Sequence, residues 1–145
     1  MAASAKLYGL AQKSFFNKEI DWDSDTIKVM LCNSTYTPNQ DTHQYKSDVT
    51  NEVTGTGYTA GGATLTSCTA TYNAGTNTLT LDAADVSWPN STITARYAVI
   101  YDSTPATDAT RPLIGYVDFD QNISTTAGTF SIVWDAAGII TATAA

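Results

Sequence analysis

The stretch "DWDSD" places Asp21, Asp23 and Asp25 at the first three ligand positions of a calcium-binding loop. Such a loop then needs a glycine where Thr26 stands and a bidentate glutamate where Cys32 stands, so the run reads as turn chemistry after a helix. The one histidine, His43, has Asp41 and Asp48 near it in sequence, which would give a general base and a carboxylate to orient it. A base also needs a nucleophile or an activated water, and no G-x-S-x-G signature supplies one, so His43 is expected as an exposed loop residue. "GTGYTAGG", residues 55–62, echoes the dinucleotide fingerprint without the helical pattern that must follow it. Its glycines are expected to serve turns or a tight backbone approach. Many Asp pairs exist for glycoside cleavage, and nothing in the sequence selects one.

Aromatic side chains offer a different chemistry. Trp22, Trp88 and Trp134, with eight tyrosines, raise the idea of a stacking platform for sugars. Trp134 falls in the core phase of its segment, which leaves Trp22 and Trp88 as the ones expected to be exposed. Arg96 is a basic residue in the middle of the alternating run "STITARYAVIYD". It has charged candidates on the neighbouring segments, Asp118 and Asp135, and a cross-strand ion pair with one of them fixes register and adds little stability.

These residues must be carried by elements that the hydrophobic period reveals. Residues 1–20 read as an N-terminal helical arm, because Leu7, Leu10, Ala11 and Phe15 recur at helical spacing from Ala5 to about Asn17. At 26–33 the period switches to two, giving a first strand with Ile27, Val29 and Leu31 on one face. Residues 34–62 hold no period and form a long contact loop. From 63 to 145, short alternating segments separated by turn clusters make a main β-sandwich, so the whole is one all-β domain of about seven to eight antiparallel strands behind a short α-helix. Ile93, Ala95, Tyr97, Val99 and Tyr101 are expected on one core face, with Leu113, Val117, Phe119, Phe130, Ile132 and Trp134. Ile100, Ile114, Tyr116 and Val133 fall on the opposite face, which is too apolar to stay bare; the helix or another subunit should cover it.

Composition limits the partners. Seven Lys and Arg against fourteen Asp and Glu give a net charge of −7, which leaves no basic groove for nucleic acid. Only 14% of residues are charged, so the surface is rich in hydroxyls and amides. Cys32 and Cys68 are expected as buried free thiols. The first twenty residues match neither a signal peptide nor a membrane span, which points to synthesis in a cytosol. No cofactor or metal is expected.

Taken together, "IDWDSDTIKVMLCNSTYTPNQDTH", "TNEVTGTGYTAGGATL", "STITARYAVIYD", "PLIGYVDFD" and "GTFSIVWDAAGI" resemble a family of small tailed-bacteriophage virion proteins, over about Lys6 to Ile140. The resemblance implies a non-enzymatic particle protein, a head decoration (cement) protein or a minor tail component, made in the bacterial cytoplasm and located in the virion. Its partners would be the major capsid protein, further copies of itself, or both. The contact candidates are apolar or aromatic residues that the period-two core does not claim: Leu7, Leu10, Phe15, Phe16 and Trp22, then Tyr36, His43, Tyr45 and Tyr58 in the long loop. A tail protein holding host glycans and a small hydrolase are the alternatives.

Overall fold

The computed structural model describes residues 2–144. The elements are β1 (Ser4–Leu7), α1 (Gly9–Phe16), β2 (Ile27–Cys32), β3 (Ala63–Thr64), β4 (Thr69–Asn73), β5 (Thr78–Asp82), β6 (Val86–Ser91), β7 (Thr94–Asp102), β8 (Leu113–Ser124), β9 (Gly128–Ile132) and β10 (Ile140–Thr143), with a 3-10 turn at Lys46–Asp48. The protein is thus all-β and sandwich-like, with a short N-terminal helix. One sheet runs β1-β8-β7-β2-β3; facing it are the sheet β10-β5-β4 and the ribbon β6-β9, all with antiparallel pairing.

Two departures raise the strand number from eight to ten. "ATLTSCTATY" breaks at Ser67, whose φ of 55° no strand accommodates, so β3 and β4 join different sheets. At the other place, residues expected to open the helix form β1 along the edge of β8, from Ser4 opposite Asp118 to Leu7 opposite Gly115. A ladder of backbone hydrogen bonds on an open sheet edge outweighs the weak helical spacing of four residues. Gly115 permits the approach, since a Cβ there would lie 2.9 Å from the Lys6 carbonyl oxygen.

The five-stranded sheet is buried on both faces. Ile27, Val29, Leu31, Ala98, Ile100 and Ile114 pack inward against Leu81, Val86, Trp88, Phe130 and Ile132 of the opposite layer. On the other face Met30, Cys32, Val99, Tyr101, Leu113 and Tyr116 are covered by Tyr8 and Ala11 of the arm and by Tyr36 of the long loop. The face assignment read from the sequence therefore needs correction. Register shifts between Ala95 and Tyr97, and between Ile100 and Tyr101, reverse the alternation within β7 and β8. Ile93 and Ala95 stay in the larger core, but Val99, Tyr101 and Leu113 join the second, while Ile100 and Ile114 move from the expected outside to the interior.

Candidate functional site

Each sequence candidate has a place in this frame. Residues 34–62 are not a free loop: Cys32 bridges to Glu52, Tyr45 to Pro112 and Thr56 to Thr92, and the segment lies across the five-stranded sheet. Tyr36 is buried, contrary to its choice as a contact. Its hydroxyl lies 2.8 Å from that of Tyr8 and 3.0 Å from His43 Nδ1, and the His43 ring stacks on it. Burial pushes the Tyr36 hydroxyl up to about 12 and Tyr8 well above the ordinary phenol range, so neither phenol ionises near neutrality. The trio satisfies buried hydroxyls and docks the loop.

A second clamp centres on Tyr58, which is half-buried against Trp88. Its hydroxyl donates to Glu52 Oε1 at 2.7 Å and accepts the Leu31 backbone N–H at 3.0 Å. The same Glu52 oxygen accepts the Gly61 N–H at 2.6 Å. Burial again raises the Tyr58 phenol, and the hydrogen bond to Glu52 raises it further. Here the "GTGYTAGG" glycines do what their type allows: at Gly62, with φ 80°, a Cβ would run into the Val29 carbonyl oxygen.

Arg96 Nε donates to Asp118 Oδ1 at 2.6 Å and Nη2 to Oδ2 at 3.2 Å, with Asp120 Oδ1 at 3.6 Å from Nη2. The hydrogen bonds from Arg96 hold the Asp118 carboxyl below its ordinary value. Asp135 is elsewhere, capping a turn through the Ala137 N–H. A network the sequence reading missed joins Lys46 and Arg111 through Asp108, each at 2.8 Å. Nothing in the spacing of residues 46 and 108 could reveal it, because the loop that folds back supplies one partner. "DWDSD" forms the expected turn, with the Asp21 N–H on Asp25 Oδ2 at 2.7 Å. No group of three or more His, Cys, Asp or Glu side chains converges among the described residues. Cys32 and Cys68 are free thiols, and burial pushes Cys32 up to about 12; Cys68 is only half-buried.

The tryptophans correct another expectation. Trp22 is buried, with Nε1 donating to the Asp82 carbonyl, and Trp88 is buried against Phe130. Trp134 is the half-buried one, resting on the core and donating to the Ala84 carbonyl. No two of them make an exposed platform. The arm candidates divide as well: Leu7 and Phe15 pack partly on the core, Leu10 is half-buried, and Phe16 is 90% exposed. Tyr45 and His43 are half-buried.

An apolar cleft of about 590 Å³ opens where β1 and β8 of one sheet face β9, β10 and the turn between them. Leu7, Val117, Phe119, Val133, Trp134 and Ile140 line it, with Lys6 and Asp135 among its lining residues. Val133 is 74% exposed there, and the partly buried residues continue the apolar surface of the larger core. The cleft lies beside edge strands β1 and β10, whose outer backbone groups have no ladder partner among the described residues. Such a surface can bury apolar area and extend a sheet. Comparison with protein-family models, curated proteins and solved structures finds no match to the chain.

Proposed function

We propose that this chain is a non-enzymatic structural protein of a tailed-bacteriophage virion, a decoration protein that attaches to the assembled head through the cleft between β1 and β9–β10. The observation that carries the reading is the union of an apolar cleft, the exposed Val133 and two unpaired strand edges on one side of an otherwise well-packed sandwich. The resemblance of the quoted segments to small phage virion proteins supplies the class of partner. Binding the closed lattice and not its separated subunits shifts the assembly equilibrium toward the closed shell by mass action. The major capsid protein is the partner in this reading, with neighbouring copies of the chain as a further contact. The glycan-binding alternative loses Trp22 and Trp88, which are buried, and keeps an exposed tyrosine, Tyr72.

The test is co-sedimentation of the purified protein with assembled empty heads that lack it. Val133→Asp is expected to keep the folded stability within about 0.5 kcal/mol, as at other exposed positions. It should weaken head binding at least about tenfold, because a charge must then be desolvated at the contact. Failure of the unmodified protein to sediment with heads contradicts the reading.

A further inference from the structure

Asp102 ends β7 with its side chain fully buried. Its Oδ1 accepts the Thr104 backbone N–H at 2.8 Å, a turn that Asp favours where a strand stops. Its Oδ2 has no donor. An ionised carboxylate buried with one oxygen unpaired is far costlier than one that keeps its proton. The hydrogen bonds from the Thr26 N–H to Thr104 Oγ1 and from the Ser103 N–H to the Thr26 carbonyl bring the end of the turn that follows the helical arm against this site, and its carboxyl, Asp25, is within side-chain reach of Asp102. Two neighbouring carboxyls are compatible when a proton lies between them.

Other charged groups stand on the surrounding elements. Arg111, ahead of β8, holds Asp108 and the Pro105 carbonyl. Lys46 holds Asp108, and Lys28 of β2 lines with it a polar depression whose wall includes Thr26, Ser103 and Thr104 but neither Asp25 nor Asp102. Asp21 meets Asp25 through its backbone, and Asp23 sits at the exposed crest of the turn. No cation is needed to explain the pair: it supplies two carboxylates, and neither residue lines the apolar cleft or the depression beside Lys28 and Lys46.

We propose that Asp102 and Asp25 form an acid-closed latch, in which a proton on Asp102 Oδ2 is donated to Asp25 and ties the 21–25 turn, and with it the helical arm, to the end of β7. The same junction holds the Thr26 N–H on Thr104 Oγ1 at 2.8 Å and the Ser103 N–H on the Thr26 carbonyl at 2.9 Å. Burial pushes the Asp102 carboxyl up to about 6; bonds from Thr104 pull it back and Asp25 pushes it further up. The folded value therefore lies above the unfolded one of about 3.9, and the native state holds the extra proton between the two. This group's contribution is complete below about pH 4 and is lost as pH rises through about 6. A displacement of two units corresponds to about a hundredfold in the folding equilibrium constant.

The experiment is chemical denaturation from about pH 4 to pH 7.5 on the full chain, with chelator and with added calcium, beside hydrogen exchange at the Thr26 and Ser103 amides. Asp102→Asn keeps a donor to Asp25 and an acceptor for Thr104 without titrating. The unmodified protein should lose about a hundredfold in folding constant relative to Asp102→Asn across the range, and its two amides should exchange faster than the variant's above pH 6. Asp25→Asn, whose amide can donate to an ionised Asp102, should move the midpoint to lower pH. Should Asp102→Asn fail to fold, the carboxyl-carbon titration of Asp102 by NMR decides, with a midpoint near 6 expected. Parallel pH profiles, a midpoint below about 4, or stabilisation by calcium that Asp102→Asn abolishes would each overturn the latch, the last by making the pair a cation site.

Discussion

At Arg96 the guanidinium forms a two-pronged contact with Asp118, and both side chains remain about a quarter exposed to water. The pair fixes the register of β7 on β8 at the point where the alternation reverses. Its carboxyl is held low in the folded protein, so its contribution is present at neutral pH and lost as pH falls through the folded value. Arg96→Thr should therefore leave the fold intact and flatten the acid limb of the melting temperature against pH. An unchanged acid limb would mean that the pair carries no linked stability. Gly62 is the opposite case, a residue with no charge and no freedom. Gly62→Ala would force a Cβ into the Val29 carbonyl and into a φ of 80°, and should cost about 2–4 kcal/mol in denaturant unfolding. A loss under about 1 kcal/mol would show that the strand beneath can yield. The sequence made both roles readable, Arg96 because it interrupts an apolar run and the glycines because only close backbone approach uses so many. It did not reveal Asp102, since "YDST" signals a local turn and its burial depends on the turn at Asp25, far away in the chain.

The elements were legible where side chains alternate on one buried face, as in β9. They were not where the backbone itself shifts phase, as between Ala95 and Tyr97, because a bulge leaves no mark in the hydrophobic pattern. The first strand was hidden for another reason: Ser4–Leu7 is extended only because β8 offers it an edge. The long loop looked free because its aromatic residues have no period, yet Tyr36 and Tyr58 are placed by hydroxyl contacts reaching across the sheet. Tyr58→Phe tests that account. It removes the acceptor of the Leu31 N–H and the donor to Glu52, and should cost about 1–3 kcal/mol in chemical denaturation while leaving the strand content by circular dichroism unchanged. A loss indistinguishable from zero would mean that water replaces the hydroxyl and that the loop is held by packing alone.

For the molecule as a whole, the five-stranded sheet is covered on both faces, and an apolar surface that includes the exposed Val133 lines the cleft beside β1 and β10. Of the tyrosines whose phenols burial raises, Tyr8 lies under the long loop and Tyr58 within it, and both hold structure there. The measurement that bears most directly on an adhesive role is electron microscopy of phage heads assembled with and without this chain. Extra density at symmetry-related positions on the head, of a size matching the sandwich and with the β1–β10 side toward the shell, is the predicted result. Heads that look the same with and without the chain would contradict it.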